Sequence, residues 1–159
     1  NMADVPWAEG KSPKGKFHRF RKDISGKLGS ARPPAPESGR HPFEVELVRI
    51  PAGATNWPYH SHSAEHELYV IVSGTGRVRT PLGEAAVRPG DVLLHPPGEP
   101  HQLTNSGSED LVYYVIANNI LAGGSVMDEC FYPDSQKWAT PSIDKCFRPQ
   151  KADYYDGEE

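Results

Sequence analysis

The sequence predicts an all-β protein in which short strands form a sandwich or a closed barrel. Two observations predict this class. First, apolar and polar residues alternate over several short stretches, which is the pattern of half-buried strands. Second, the 159 residues include 15 Gly and 16 Pro, and many of these lie between the alternating stretches, where they mark turns. We find no stretch of useful length with the 3.6-residue apolar period of a helix, and no internal repeat.

Residues 1–40 are predicted to be an N-terminal arm rich in basic residues, Gly and Pro. They hold nine Lys or Arg residues and four acidic residues, whereas the whole chain has a net charge of -4. The stretch 30–36 (Ser-Ala-Arg-Pro-Pro-Ala-Pro) favours an extended, polyproline-like backbone. Phe17, Phe20 and Ile24 are expected to anchor one short segment of the arm. Its charges are spaced out, which favours docking on the acidic remainder or on a neighbouring subunit, so we expect no nucleic-acid partner.

Residues 41–120 are predicted to form the barrel. The segment 43–47 (Phe-Glu-Val-Glu-Leu) alternates apolar and acidic residues, and the β-rich run 66–73 ends at the turn Gly74-Thr75-Gly76. Further turns are predicted at residues 81–84, 89–91, 96–100 and 105–108, where Gly, Pro, Asn and Ser cluster. Strands are therefore predicted over residues 43–47, 66–73, 77–80, 85–88, 92–95, 101–104 and 111–117.

Residues 121–159 are predicted to be an irregular C-terminal arm whose aromatic residues pack on the barrel or on a partner subunit. The aromatic residues of this arm are Phe131, Tyr132, Trp138, Phe147, Tyr154 and Tyr155. Cys130 and Cys146 lie outside the barrel pattern and are not in a CxxC arrangement, so they are expected to be free thiols.

The sequence favours a cytoplasmic protein with no membrane partner. Its apolar runs are well short of the ~20 residues that span a bilayer. Residues 1–6 also lack the apolar stretch of a secretion signal.

The most informative local pattern is His60-Ser61-His62. Side chains on an extended strand alternate between its two faces, so both imidazoles point to the same side. Glu67 and, later in the chain, His101 would add a carboxylate and a third imidazole. Such a ring of nitrogen and oxygen donors suits a divalent first-row transition metal.

Two longer motifs contain these residues. The first runs Gly53, six residues, His60, one residue, His62, four residues, Glu67, six residues and Gly74; the second runs Gly90, five residues, Pro96, one residue, Gly98, two residues, His101, three residues and Asn105. Together they closely resemble the two signature motifs of the cupin family over about residues 43–118. The departure is a spacing of six residues between Gly53 and His60, where five is commoner, and it lies in a loop.

The resemblance implies a cupin-type double-stranded β-helix, or jelly-roll barrel, extended here by N- and C-terminal arms. It also implies that His60, His62, Glu67 and His101 bind one metal ion at the centre of the barrel. Three imidazoles and one carboxylate are compatible with Fe, Mn, Zn, Ni, Co or Cu. Four protein ligands leave one or two coordination positions for water, substrate or dioxygen.

Further side chains are candidates to line the cavity or to lie beside the ligands. His95 either does so or points outward from its strand. Tyr69 and Tyr113, like Tyr59, either line the cavity or belong to the core.

Three other polar residues in the motifs are assigned no chemistry. Glu65 and His66 are expected to be loop residues, because Glu67 holds the spacing of the cupin motif. Asn105 is expected to stabilise a turn.

The cupin fold does not fix a function, because the family includes dioxygenases, decarboxylases, isomerases, epimerases, storage proteins and ligand-sensing domains. We expect a divalent-metal protein that acts on a small polar organic molecule, as an oxygenase-type or isomerase-type enzyme. The alternative is a non-catalytic, metal-containing binding or sensor protein. A buried acid or base in the cavity would favour the enzyme, and a wholly apolar cavity would favour the binding protein.

A homodimer is also expected, since the apolar residues of the two arms have no place in one small barrel. The arms differ in charge, being basic before Arg40 and acidic after Lys151. Either arm can cross to a neighbour and cover the open edge of its sheet.

Overall fold

In the computed structural model of the chain, residues 1–31, 39–119, 128–140, 145–152 and 156 are described. Their strands are β1 (Ala8–Lys11), β2 (His18–Asp23), β3 (Phe43–Ile50), β4 (Ser61–His62), β5 (Glu67–Ser73), β6 (Gly76–Thr80), β7 (Gly83–Val87), β8 (Val92–His95), β9 (Gln102–Asn105), β10 (Leu111–Asn118), β11 (Cys130–Tyr132), β12 (Lys137–Thr140) and β13 (Lys145–Phe147). The described helical segments are a 3₁₀ turn over Met2–Asp4 and a helix, α1, over Ile24–Lys27. Asp23 caps α1, because its side chain accepts a hydrogen bond from the Gly26 N–H at 2.7 Å.

The strands form three antiparallel sheets. The largest has six strands in the order β1-β2-β3-β10-β5-β8, and a second has three strands in the order β7-β6-β9. A third sheet, in the order β13-β12-β11-β4, joins the C-terminal segment to the strand that carries His62. Neighbours such as β3 and β10 are far apart in sequence, so long-range pairing holds the barrel together.

The seven strands predicted over residues 41–120 are all present, as β3 and β5 to β10. Val92–His95 agrees with the prediction at both ends. The strand β3 is longer than predicted and continues to Ile50, because it pairs along its full length with β10. The extended stretch through the two histidines is short: β4 has two residues, and His60 forms an isolated bridge with His101.

The hydrophobic core draws on both the six-stranded and the three-stranded sheet. Its buried members occupy alternate positions along their strands, as inward-facing residues of a barrel do. They are Val48, Ile50, Tyr69, Ile71, Val78, Val87, Leu103, Leu111 and Tyr113. The well-packed core lies against the start of β5, which carries Glu67, and against the start of β9, which follows His101.

The N-terminal segment predicted as an arm contributes two strands to the largest sheet. β1 pairs with β2, and β2 pairs with β3, so this segment covers an edge of its own barrel. Phe17, Phe20 and Ile24 are half-buried within the same chain, so their burial does not require a second subunit. The proline-rich stretch 33–36 lies outside the described residues.

The C-terminal segment, predicted to be irregular, contains three strands among its described residues, and it packs on the barrel through the pairing of β11 with β4 because that pairing satisfies the backbone of both strands. Phe131 and Trp138 face each other across β11 and β12 with ring centroids 4.9 Å apart. Tyr154 and Tyr155 lie outside the described residues. Within the described part of the chain, no helix is long and apolar enough to cross a membrane.

Candidate metal centre

The structure brings the four predicted ligands together around the Glu67 carboxylate. Glu67 Oε2 lies 2.8 Å from His101 Nε2 and 3.7 Å from His62 Nε2. One ligand atom from each of His60, His62 and Glu67 lies within 4.8 Å of the other two. Three of the four predicted ligands therefore form one compact group, and His101 joins it through its contact with Glu67.

Backbone pairing explains this convergence. The His60 N–H donates to the His101 carbonyl at 3.2 Å, and the His101 N–H donates to the His60 carbonyl at 2.8 Å. Gly98 adopts a left-handed φ of +82°, which turns the chain sharply before His101, and its N–H donates to the His62 carbonyl at 2.8 Å. The bend therefore fixes the position of His101 relative to the two histidines of the first motif.

Each of the three imidazoles is oriented by an acceptor at its Nδ1 atom. His60 Nδ1 donates to the Pro58 carbonyl at 2.8 Å, and His101 Nδ1 donates to the Glu99 carbonyl at 3.2 Å. His62 Nδ1 donates to Asp128 Oδ2 at 2.6 Å. Because a carbonyl or carboxylate oxygen only accepts, each ring carries a proton on Nδ1 and directs Nε2 towards the Glu67 side of the site, as metal-binding histidines commonly do. The His101 Nε2 atom donates to Glu67 Oε2 at 2.8 Å, so a metal would have to displace that proton.

The donor set fits a divalent transition metal. His62 Nε2 is buried and has no hydrogen-bond partner in the described part of the chain, which is costly unless another group satisfies it. Two ligands at right angles, each about 2.1 Å from a metal, lie about 3 Å apart. The 2.8 Å between Glu67 Oε2 and His101 Nε2 is close to that separation.

The charge states of the ligands also suit metal binding. Burial raises the pKa of Glu67, but the hydrogen bond from His101 and the charge of His62 lower it to about 2. Burial lowers the pKa of His60 to about 4. Burial also lowers the pKa of His62, but the hydrogen bond to Asp128 outweighs this effect and raises it to about 11. At neutral pH, Glu67 is therefore a carboxylate and His60 a neutral donor, while His62 holds a proton that a metal has to displace.

Three of the four predicted ligands, His60, His62 and Glu67, line a small open cavity of about 180 Å³. Its other walls are Trp57, Cys130 and Tyr132. Burial raises the pKa of the Tyr132 phenol to about 12, so the group is protonated at neutral pH. The cavity has room for a molecule about the size of benzene, and Cys130 and Tyr132 contribute to its wall.

Comparison with known families agrees with this fold. Residues 46–117 match the family model described as "Cupin domain", a span a little under half of the chain. Residues 46–117 are a cupin domain. The predicted double-stranded β-helix is therefore confirmed. The predicted ligand set lies within this domain.

Relatives of the cupin domain differ in function. The oxalate-binding protein of Thermotoga maritima is 29% identical over 69 residues, which are 43% of this chain and 56% of the relative. The chain thus matches little more than half of that relative's length. The structure of a sugar phosphate isomerase of Silicibacter pomeroyi, a member of a cupin superfamily, matches with a TM-score of 0.73 at 19% identity, and the match covers 96% of each chain. The polyketide cyclase RemF of Streptomyces resistomycificus has a TM-score of 0.59 at 19% identity, with 77% of this chain and 79% of that chain covered. These two structural matches show the fold.

Two of the predicted neighbours of the ligands lie directly against them. The Tyr69 hydroxyl donates to Glu67 Oε2 at 2.9 Å and lies 3.2 Å from His101 Nε2. His95 does not point outward: its side chain is 3% exposed, and its ring stacks on His101 with centroids 4.0 Å apart. His95 Nδ1 lies 3.1 Å from Glu99 Oε1. Tyr69 and His95 therefore lie beneath the ligands, away from the open cavity.

The other tyrosines belong to the surroundings of the site. Tyr113 is fully buried, accepts a hydrogen bond from Asn56 Nδ2 and packs on Tyr69 with ring centroids 5.0 Å apart. Tyr59 is buried beneath Arg79, whose Cζ atom lies 3.8 Å from the ring centroid. Neither lines the cavity of about 180 Å³.

Of the three polar motif residues expected to have no chemical role, His66 and Asn105 lie as expected and Glu65 does not. His66 is exposed, and the Asn105 amide donates to the Ile50 and Glu109 carbonyls at 2.8 Å each, which holds the turn after β9. Glu65 lies closer to the site than expected, with Oε2 3.5 Å from His62 Nδ1. Burial and the charge of Asp128 raise the pKa of Glu65 to about 7.

Sequence reasoning missed the contribution of residues 128–132. Asp128 orients His62, and Cys130, which was placed outside the barrel pattern, lies in the cavity with Sγ 3.7 Å from His62 Nδ1. Cys130 and Cys146 are both free thiols. The available signal was the high aromatic content after residue 130. It indicated packing but did not indicate which strand the segment would join.

Proposed function

We propose that this protein binds one divalent transition metal through His60, His62, Glu67 and His101 and acts there on a small polar organic molecule. The observation that carries the proposal is the orientation of the imidazoles. Each Nδ1 atom is engaged by an acceptor, so the three Nε2 atoms are directed to one carboxylate, where a metal can displace any proton that they carry. The buried, unpartnered Nε2 of His62 supports the same conclusion.

An enzymatic role, of the isomerase or oxygenase type, is favoured by the cavity wall. A bound metal would hold a substrate oxygen and stabilise negative charge that develops on it. The Tyr132 hydroxyl and the Cys130 thiol, both in the wall, can donate hydrogen bonds to the same molecule. The Tyr69 hydroxyl donates a hydrogen bond to the Glu67 carboxylate and thereby orients it.

A second candidate is non-catalytic binding of a small molecule. The cavity of about 180 Å³ suits a compact ligand with two oxygen donors, and one relative is an oxalate-binding protein. The sequence-based condition for this alternative, a wholly apolar cavity, is not met by the described residues, because Cys130 and Tyr132 line it. We therefore place the enzyme first.

Metal analysis of protein purified without nickel affinity resin tests the site. We expect about one metal ion per chain in the wild type and in His66→Ala, a matched control at an exposed histidine. We expect His62→Ala to lose that metal. Full retention of metal by a folded His62→Ala protein would overturn the assignment.

An activity screen then separates the two roles. Oxygen uptake and isomerisation are measured with small hydroxy acids, keto acids and sugar phosphates. Turnover that depends on the metal supports the enzyme. Saturable, metal-dependent binding of these compounds without turnover would support the binding protein and contradict the enzyme.

A further inference from the structure

Arg19 is a buried cation that faces a second cavity. The residue is 9% exposed, and it lies on the N-terminal strand β2. No residue in the described part of the chain accepts a hydrogen bond from its guanidinium group or forms an ion pair with it. The nearby carboxylate of Glu46 is engaged instead by Arg21, with Nη1 and Oε1 2.5 Å apart. The charge of Glu46 acts on Arg19 through space, which leaves the guanidinium group without a direct anionic contact among the described residues.

The second cavity is shaped to present this guanidinium group. It has a volume of about 360 Å³, and Gly10, Lys11, Ser12 and Trp57 contribute to its wall together with Arg19. The Arg19 Cζ atom lies 3.1 Å from the centroid of the Trp57 ring, so the planar group is stacked on the indole. Stacking fixes the plane of the guanidinium group and leaves N–H groups at the edge of that plane. A phosphate or a carboxylate can accept hydrogen bonds from two of these N–H groups side by side.

Gly10 makes room for this arrangement. It lies directly opposite Arg19 in the pairing of β1 with β2. A Cβ atom at this position would lie 2.8 Å from Arg19 Nη1. The absence of a side chain at Gly10 thus allows the guanidinium group to occupy its place in the wall.

The second cavity adjoins the metal centre. Trp57 lines both cavities. Pro58, which follows it and also lines the second cavity, accepts the hydrogen bond from His60 Nδ1 at 2.8 Å. A molecule that binds over Trp57 can therefore contact both cavities.

We propose that the Arg19 cavity binds the anionic end, a phosphate or a carboxylate, of the molecule whose other end reaches the metal centre. This inference rests on the proposed function and narrows its substrate class to small anionic molecules with an oxygen donor at the opposite end. The neighbouring cavity is about twice as large as the metal cavity, so the two together take a longer molecule than the metal cavity alone. Burial and the charge of Arg21 lower the pKa of Arg19 to about 10 and outweigh the opposite effect of the Glu46 charge.

The test measures binding of inorganic phosphate and of succinate to the metal-loaded protein by titration calorimetry. We expect saturable binding of at least one of them, weakened about tenfold or more in Arg19→Met, which keeps the length of the stem but removes the charge. Arg77→Met is the matched control, because it removes one charge from an exposed arginine, and it should bind as the wild type does. Stronger binding of phosphate would identify a phosphate ester as the anionic end, and stronger binding of succinate a carboxylate.

A second variant keeps the test decisive if Arg19→Met does not fold. Gly10→Ala retains the charge but displaces the guanidinium group, so it should also weaken anion binding while metal content stays at the wild-type level. Equal anion affinity in the wild type and in either folded variant, or no saturable binding to the wild type, would overturn the inference. Metal content of the same samples is measured independently, so a failure of the anion site is distinguished from a failure of the metal site.

Discussion

Replacing Asp128 with Asn should reverse the hydrogen bond that fixes the tautomer of His62. Asp128 Oδ2 accepts from His62 Nδ1 at 2.6 Å, and Oδ1 accepts from the N–H groups of Ala64 at 2.9 Å and Glu65 at 3.2 Å. Burial raises the pKa of Asp128, but the hydrogen bond from His62 outweighs it and lowers the pKa below the usual 3.8, so the group is an acceptor at neutral pH. An asparagine has one oxygen, which the two backbone donors retain, and its NH₂ group then faces His62.

The consequence is a proton on the wrong nitrogen. Facing a donor, Nδ1 of His62 becomes an acceptor and the ring carries its proton on Nε2, the atom needed for the metal. The lost interaction is a hydrogen bond to a charged group, worth about 1.5–3 kcal/mol. Since about 1.4 kcal/mol corresponds to a factor of ten, metal affinity should fall about 10- to 100-fold. Stability without metal should also fall, because the same hydrogen bond is present in the metal-free protein, but both backbone hydrogen bonds to residue 128 remain.

Competition with a chromophoric chelator measures this affinity directly. Asp128→Ala provides a contrast, because it also leaves the Ala64 and Glu65 N–H groups without an acceptor. It should therefore lower the melting temperature more than Asp128→Asn does. Asp134→Asn is the matched control, an exposed aspartate of the same segment that pairs with Arg79 away from the ligands. Wild-type metal affinity in Asp128→Asn would refute the role assigned to this carboxylate.

Two further predictions concern stability and association. A metal that binds only the folded barrel adds about 4 kcal/mol to the free energy of unfolding at a thousandfold excess over Kd. Chelation should therefore lower the melting temperature. An unchanged melting curve after verified metal removal would contradict a tight, preformed site. We also predict a homodimer, because β5 and β8 present an outward apolar surface on which Val72, Val92 and Leu94 are 46%, 59% and 58% exposed. Light scattering at micromolar concentration should show a dimer, and Leu94→Lys should shift the equilibrium towards the monomer. A monomeric wild type would refute the prediction.

The sequence by itself determined the barrel strands and the four candidate ligands of the metal site. Strand alternation and turn residues act over a few positions, so Val92–His95 and its neighbours could be placed from local pattern alone. The ligands could also be assigned from short stretches of sequence within each motif, because one residue separates His60 from His62 and a bend at Gly98 precedes His101. The resemblance of the motifs to those of cupins then joined the two halves.

The tertiary structure decided which distant segments complete the site. Asp128 and Cys130 reach His62 only because β11 pairs with β4, and that register depends on the packing of the whole barrel. The N-terminal segment, predicted as an arm, forms strands because β3 presents an edge that β2 can satisfy with hydrogen bonds. Arg19 likewise acquires its place opposite Gly10 and against Trp57 through that pairing. Such contacts join residues far apart in sequence, and no local pattern encodes them, because their free energy depends on surfaces that exist only after the chain has folded.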